Sequence, residues 1–207
     1  MTEKDNPDRS RAEDDQARFD KAYYDRFYRN PQTRAVTPAA ARRQAEFIAA
    51  YLRHLEVPVG DIIDVGCGTG TLLRALGKAF PKARIQGIEY SAYLCDKYGW
   101  AQGSVVDHRP DQPGDLVVCN DVLGYLNEAD CRRAIQNLAS FTTGALYLGV
   151  LTREDLDLCD PDRTDAAQIA RPALWYKRQL TRDFLTVGGG LFLRQPVDVT
   201  VWHLERA

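Results

Sequence analysis

The sequence predicts an α/β fold with a doubly wound, seven-stranded and mostly parallel sheet. Short apolar runs rich in valine, isoleucine and leucine alternate with segments of helical periodicity along most of the chain. Such alternation implies right-handed crossovers between parallel strands with helices on both faces. Pro196 stands between the last two runs, which predicts a tight reversal there and an antiparallel final strand.

The composition is that of a globular protein in one domain. The chain has 207 residues, of which 44% are hydrophobic and 27% charged, enough for a core without disulfide support. Residues 1–17 are almost wholly polar and predict a disordered charged tail. We expect a single domain over residues 18–207, with N-terminal helices forming a cap over 18–57 and the α/β core over 58–207.

Charge and cysteine content exclude several classes of function. A net charge of −2 offers no basic field for a nucleic acid, and no apolar run is long enough for a membrane span. Five scattered cysteines without a C-x-x-C pair indicate reduced thiols rather than a zinc site or a disulfide framework. Because the N-terminus also lacks the apolar core of a secretory signal, we expect a cytoplasmic protein.

Two helices are predicted before the first strand. Phe19, Tyr23 and Phe27 recur every four residues, which predicts a helix with an aromatic stripe that ends before Pro31. Thr37 is then a predicted N-cap, because a proline follows it in the first helical turn.

The strands follow in order, separated by helical segments. Asn127 is a predicted N-cap for the helix between the fourth and fifth strands, and Pro172 begins the helix before the sixth. The long acidic connection 152–171 is of the kind that is functional or disordered. The predicted strands cover residues 62–65, 84–89, 103–106, 115–119, 144–151, 184–193 and 197–204.

A glycine-rich turn after the first strand is the most informative feature. The run D-V-G-C-G-T-G occupies residues 64–70, and Glu89 ends the second strand nineteen positions after the last of these glycines. Glycines allow the backbone to approach a nucleotide-like ligand, and an acid at that place accepts hydrogen bonds from ribose hydroxyls. The glycines alternate, whereas dinucleotide enzymes favour G-x-G-x-x-G.

This stretch resembles motif I of the class I S-adenosylmethionine-dependent methyltransferases, and Glu89 resembles their acidic residue at the end of the second strand. The resemblance covers about residues 60–150 and implies S-adenosylmethionine as cofactor and S-adenosylhomocysteine as product. It implies a Rossmann-like core with the seven-stranded architecture already expected. The positions that it assigns to cofactor binding are Asp64, Gly66, Gly68, Gly70, Glu89, Tyr90, Val106, Asp107 and Asn120.

The methyl acceptor is expected to be a small molecule, with its nucleophilic atom open among oxygen, nitrogen and sulfur. Because the cofactor is a reactive methyl donor, alignment does much of the work, and we expect a nucleophile that needs little help from a base. Candidates near the methyl are Asp121, Tyr125 and Glu154. Candidate acceptor-binding residues are Tyr23, Tyr24, Tyr28, Arg34, Arg153, Trp175 and Tyr176, with the N-terminal aromatic helix either a lid or simple packing.

Other functions remain as alternatives. Asn120-Asp121-Val122-Leu123 replaces the N-P-P-Y-type tetrad of nucleic-acid amine methyltransferases, and no acids and histidines are spaced as metal ligands. A non-catalytic cofactor-binding module acting through a protein partner is one alternative. A nicotinamide-dependent oxidoreductase is another, which the alternate glycine spacing disfavours.

Overall fold

The computed structural model describes residues 18–201. The predicted charged tail 1–17 and the end of the predicted strand 197–204 lie outside these residues. The elements, in chain order, are α1 (Lys21–Tyr24), a π-helical turn (Asp25–Arg29), α2 (Pro38–His54), β1 (Asp61–Val65), α3 (Thr71–Ala79), β2 (Arg84–Glu89), α4 (Ala92–Tyr98), β3 (Ala101–Gln102), β4 (Gly114–Asn120), a 3₁₀ turn (Leu123–Tyr125), α5 (Glu128–Phe141), β5 (Thr142–Gly149), α6 (Arg153–Leu156), α7 (Ala173–Leu180), β6 (Phe184–Gly188) and β7 (Leu191–Arg194).

The seven strands form one sheet in the order β3-β2-β1-β4-β5-β7-β6. All neighbouring pairs are parallel except those of β7, which runs antiparallel to β5 and to β6. The predicted fold class is therefore confirmed, including the antiparallel final strand. The strand order reverses between β1 and β4, and open α/β sheets bind ligands beyond the carboxyl ends of their strands at such a point.

Helices cover both faces of the sheet. Alternate residues of β1 face opposite ways, so Ile62 packs in a cluster with α2 and α3, and Ile63 packs in a second cluster with α5 and α7. The predicted caps are present: the Thr37 hydroxyl accepts a hydrogen bond from the Ala40 amide at 3.1 Å. The Asn127 side chain accepts one from the Asp130 amide at 2.9 Å. No helix within residues 18–201 has the length and apolar character that crossing a bilayer requires.

The prediction of a third strand at 103–106 was wrong. β3 is two residues long and ends at Gln102, and the chain then turns. The Ser104 carbonyl accepts hydrogen bonds from the amides of Asp107 and His108, at 3.3 and 2.8 Å, so these residues close a turn instead of extending the sheet. The two valines favoured an extended strand. The segment forms a turn instead, because its backbone hydrogen bonds are then made within the segment itself.

The predicted bounds of the last two strands were also wrong. The chain reverses at Gly188, Gly189 and Gly190, whose φ values are 94°, 58° and 80°, and not at Pro196. Three successive residues in the left-handed region are accessible to glycine at little cost, so the tight turn forms there and splits the segment 184–193 into β6 and β7. Of the predicted strand 197–204, the described part, through residue 201, is not a strand.

Candidate cofactor and acceptor site

A cavity of about 380 Å³ opens at the carboxyl ends of β1, β2 and β4, where the strand order reverses. Its wall brings together twelve of the residues singled out in the sequence, from both the core and the N-terminal helix. They are Tyr23, Tyr24, Tyr28, Gly66, Gly68, Glu89, Tyr90, Val106, Asp107, Asn120, Asp121 and Tyr125.

The glycine turn is shaped by its neighbours as much as by a ligand. Gly66 has a φ of 75°, and a Cβ there would lie 2.3 Å from Cγ2 of Val122. A Cβ on Gly70 would lie 2.4 Å from the Trp100 ring, so this glycine makes room for a tryptophan and does not line the cavity. Trp100 also donates its indole N–H to the Gly68 carbonyl at 3.0 Å and so holds the turn in place.

Glu89 ties the glycine turn to the segment after β2. One carboxylate oxygen accepts from the Gly68 amide at 2.7 Å, and the other accepts from the amides of Tyr90 and Ser91, each at 2.9 Å. The Tyr24 hydroxyl donates to the same carboxylate at 3.5 Å. These hydrogen bonds favour the charged form and lower the pKa of Glu89, but burial has the larger effect and raises it.

Asp64 lies behind the glycine turn with its side chain buried. Burial, reinforced by the charge of Glu89, raises its pKa from 3.8 to about 7. Two buried carboxylates with coupled charges favour a cation between or beside them. A ligand with an ammonium or sulfonium group fits this part of the site.

The turn after β3 carries Val106 and Asp107 into the cavity wall. Asn137 on α5 fixes this turn from behind, because its amide group donates to the carbonyls of Val105 and His108, each at 2.9 Å. Nothing in the local sequence marked Asn137, since its partners lie about thirty residues away.

The end of β4 presents a polar pair to the cavity. Asp121 has a φ of 57°, in the left-handed region that aspartate tolerates better than most residues. Its carboxylate accepts from the Asn120 side-chain amide at 2.8 Å, and the enclosing protein raises its pKa. Gln44 on α2, which the sequence did not single out, donates to the side-chain oxygen Oδ1 of Asn120 at 3.1 Å.

The N-terminal aromatic segment lines the cavity and contacts the segments that follow β2 and β4. The hydroxyls of Tyr23 and Tyr125 lie 2.9 Å apart, and the Ser91 hydroxyl donates to the Phe19 carbonyl at 2.6 Å. Burial raises the pKa of Tyr125, and those of Tyr23, Tyr24 and Tyr28 far more, so all four phenols are neutral near pH 7.

The connection between β5 and α7 contacts residues of the cavity wall from outside. Arg18 forms an ion pair with Asp165 at 2.8 Å, and Gln168 donates to the Tyr125 hydroxyl at 3.2 Å. Arg171 is buried and donates to the Leu126 carbonyl at 2.6 Å, which anchors the connection to the segment after β4. The sequence indicated none of these residues, because their partners are far apart along the chain.

The remaining candidates lie outside the cavity wall. Glu154 accepts from the Ala173 amide at 2.9 Å and so caps the start of α7. The Trp175 ring packs beneath the guanidinium groups of Arg132 and Arg171, and Tyr176 is buried in the core. The set that does not line the cavity is Asp64, Gly70, Glu154, Arg34, Arg153, Trp175 and Tyr176. Within residues 18–201, no histidines, cysteines and acids cluster as metal ligands.

Comparison with known proteins finds likeness to methyltransferases over part of the chain. Residues 63–143 match a family model described as a methyltransferase domain. A trans-aconitate 2-methyltransferase of Klebsiella pneumoniae (strain 342) is 30% identical over 104 residues, which are 47% of this chain and 40% of that protein. One of Pseudomonas paraeruginosa (strain DSM 24068 / PA7) is 22% identical over 183 residues, covering 80% of this chain and 66% of that protein. The chain thus spans less than two thirds of these curated relatives.

Solved structures share the fold at low sequence identity. The magnesium protoporphyrin IX methyltransferase from Synechocystis PCC 6803, with bound SAM, superposes with a TM-score of 0.62 at 18% identity, over 93% of this chain and 97% of that one. The plantazolicin methyltransferase in complex with a pentazolic desmethyl analogue and SAH gives a TM-score of 0.59 at 14% identity, over 85% of this chain and 80% of that one. At these identities the likeness shows the fold alone.

Proposed function

We propose that this chain, which carries a methyltransferase domain on the class I fold, transfers a methyl group from S-adenosylmethionine to a small acceptor. The observation that carries the proposal is the convergence of the Gly66–Gly68 turn, Glu89 and Asp121 on one cavity. These residues come from the ends of three neighbouring strands. Their arrangement supports a nucleotide-like ligand that also bears positive charge.

The residues present fit this cofactor. The carbonyl and amide groups of the glycine turn would line its methionine end, and Asp64 would balance its ammonium group. Three of the donors to Glu89 bond to one carboxylate oxygen, whereas the other oxygen accepts from the Gly68 amide and has a further acceptor position for a ribose hydroxyl. Tyr90, which follows β2, would flank the adenine together with Val106 and Asp107, which lie on the turn that Asn137 holds.

When bound, the cofactor supplies an electrophilic methyl group on a sulfonium sulfur. The chain's own part is to orient the acceptor and to exclude water, for which the aromatic segment over the cavity is suited. Glu154 caps α7 at the protein surface, so we do not propose it as a catalytic residue. The Tyr125 hydroxyl accepts a hydrogen bond from Gln168 and shares another with the Tyr23 hydroxyl, which favours a positioning role for it.

A small molecule is the acceptor class that the cavity favours. Its volume is modest for a cofactor and an acceptor together, and the aromatic segment lines part of its wall. Two of the relatives are named for trans-aconitate, itself a small molecule. The five cysteines are all free thiols, in keeping with a cytoplasmic location, which we propose on the cysteine pattern.

Calorimetric titration with S-adenosylhomocysteine tests the proposal, with NAD as the control ligand. We expect S-adenosylhomocysteine alone to bind, and Glu89→Ala to weaken that binding by more than tenfold through loss of a charge-assisted hydrogen bond. Because Glu89 also holds three backbone amides, the unfolding transition of the variant is recorded beside it. Binding of NAD instead would favour an oxidoreductase, and binding of neither ligand would refute the proposal.

A further inference from the structure

The acceptor side of the cavity is the part of its wall formed by Arg18, Phe19, Tyr23, Tyr28, Asp121 and Tyr125. It lies beyond the glycine turn and is made mainly of aromatic rings. The Tyr28 hydroxyl would be 3.1 Å from a Cβ on Gly68, so this ring stands where the glycine turn meets the acceptor side. An acceptor bound here would meet aromatic faces, the Asp121 carboxylate and the Arg18 guanidinium, which is paired with Asp165.

The charges on the cavity wall are predominantly negative. Four carboxylates, from Glu89, Asp107, Asp121 and Asp130, face two guanidinium groups, from Arg18 and Arg133. Both guanidiniums are already paired, Arg18 with Asp165 and Arg133 with Asp130. Among residues 18–201, Asp121 has no ion-pair partner and accepts a hydrogen bond only from the Asn120 amide. The wall is therefore suited to a cationic ligand and not to an anionic one.

Two aromatic rings of the acceptor side contact the cationic side chain of Arg18. The guanidinium carbon of Arg18 lies 5.0 Å from the centroid of the Tyr125 ring and 5.5 Å from that of Phe19. Such distances are those of cation–π contacts, which contribute more where water is excluded. Tyr23 packs edge-on against Phe19 at 5.1 Å, so the aromatic surface continues towards Tyr28.

We propose that the acceptor is an amine, which binds as its ammonium ion between the aromatic rings of the acceptor side and the Asp121 carboxylate. This inference rests on the methyltransferase function proposed above. Asp121 takes one proton from the ammonium, and the freed nitrogen lone pair forms a bond to the methyl carbon. The carbon–sulfur bond breaks with its electron pair remaining on sulfur. The products are a methylated ammonium ion and S-adenosylhomocysteine, and the proton on Asp121 returns to solvent.

The backbone supports Asp121 in this role. Asp121 follows directly on the end of β4 in the left-handed conformation, with φ at 57°, which aspartate tolerates, and it lines the cavity. Asn120 holds the carboxylate from one side and is itself held by Gln44, which also donates to the Tyr147 hydroxyl at 2.7 Å. Enclosure by protein raises the pKa of Asp121, which makes the carboxylate a better proton acceptor near neutral pH.

An acidic acceptor is the rival class, because two curated relatives are named for trans-aconitate. A carboxylate acceptor would need no base and would approach the Asp121 carboxylate of the acceptor side with a charge of the same sign. Like charges brought together in a partly desolvated cavity repel strongly. The cavity of this chain therefore favours the amine.

Matched pairs of acceptors separate the two classes. Phenethylamine is compared with 3-phenylpropionate, and glucosamine with glucuronate, alongside trans-aconitate. Affinity for the protein saturated with S-adenosylhomocysteine is measured by calorimetry, and methyl transfer by mass spectrometry of the acceptor. We expect the amine of at least one pair to exceed its acid by tenfold or more in affinity and to gain one methyl group. Acids that equal or exceed their amines, or no amine binding at all, overturn the inference.

The role of Asp121 is tested by Asp121→Asn, which keeps a residue that tolerates positive φ and so preserves the turn. We expect amine methylation to fall a hundredfold or more while affinity for S-adenosylhomocysteine changes by less than threefold. Asp96→Asn is the matched control, because Asp96 is an exposed carboxylate outside the cavity and loses the same charge. Undiminished amine methylation by Asp121→Asn overturns its role as proton acceptor.

The experiment also separates failure of this inference from failure of the proposed function. If S-adenosylhomocysteine does not bind, the methyltransferase proposal fails and the inference fails with it. If it binds and the amines show no preference over the acids, only the assignment of the acceptor class fails.

Discussion

At the scale of single residues, the two buried carboxylates behind the glycine turn have the largest energetic consequences. Asp64 is 3% exposed and Glu89 5% exposed, yet only Glu89 is surrounded by backbone N–H donors. Burial without a comparable set of donors is what raises the pKa of Asp64 to about 7. The charged Asp64 carboxylate therefore destabilises the folded protein at neutral pH. Such a residue is expected at a site where ligand binding requires its charge.

Asp64→Asn should therefore stabilise the unliganded protein at pH 8. The pKa of Asp64 in the folded protein, about 7, is above the ordinary value of 3.8. As the pH rises, the unfolded state therefore releases this proton first, and the loss of unfolding free energy due to Asp64 grows between about pH 4 and pH 7. The full penalty is roughly 4 kcal/mol at most. We expect the variant to gain unfolding free energy at pH 8, much less at pH 4, and to bind S-adenosylhomocysteine more weakly.

Denaturant unfolding at both pH values, with calorimetry on the same samples, checks this expectation. A variant that loses stability equally at pH 4 and pH 8 would instead show that Asp64 is an ordinary structural carboxylate.

Gly66→Ala tests whether steric fit holds the glycine turn. The added Cβ would lie 2.3 Å from Val122, and the φ of 75° is unfavourable for alanine. Gly99→Ala is the matched control, with a φ of 73° and nothing within 4 Å of its added Cβ. The control should lose about 1 kcal/mol through backbone strain alone. Gly66→Ala should lose clearly more and should weaken cofactor binding, as thermal unfolding and calorimetry will measure.

At the scale of elements, the N-terminal aromatic segment joins the core through side chains, not through the sheet. Tyr24 is 3% exposed, so packing accounts for part of its role, and truncation to alanine will cost stability as well as activity. The segment is either a lid that closes the cavity or a helix that only packs on the core. A substitution that removes a hydroxyl and keeps the ring separates these two hypotheses, because packing is then preserved.

Tyr125→Phe removes such a hydroxyl, and with it the contacts to Tyr23 and Gln168. We expect the KM of the acceptor to rise several-fold and hydrogen exchange to quicken over residues 18–30, with a change in unfolding free energy of about 1 kcal/mol. Tyr51→Phe is the control, since it removes a hydroxyl bonded to the Val187 carbonyl away from the cavity. Unchanged exchange over residues 18–30 would assign this segment to packing alone.

At the scale of the whole molecule, ligand binding should be visible as stabilisation. A ligand at a hundred times its Kd adds about 2.7 kcal/mol to the unfolding free energy. For a chain of this length that corresponds to a Tm increase of about 5–10 °C. We expect this increase with S-adenosylhomocysteine and none with NAD, as measured by scanning calorimetry. The division of the chain into a cap over 18–57 and a core over 58–207 stays a prediction.

The sequence by itself determined the fold class, the sheet with its antiparallel strand and the place of the glycine turn. These depend on local patterns: apolar runs that must be buried, capping residues such as Thr37 and Asn127, and the glycines with Glu89. The match to a methyltransferase domain and the shared fold confirm the resemblance first visible in the glycine turn. The roles of the individual site residues stay predictions.

Only the tertiary structure decided which candidates meet. Tyr23 and Tyr125 are far apart in the chain, and their hydroxyls lie 2.9 Å apart. Glu154 lies outside the cavity wall, although its position in a loop after a strand favoured a role in the site. Arg18, Gln44 and Asn137 carried no local signal, because a side chain's partner across the fold leaves no periodicity or spacing in the sequence. The bounds of two turns were also decided only by the structure. Local hydrogen bonds set the turn at 104–107, and left-handed backbone angles set the turn at 188–190. Residue type alone does not determine either one.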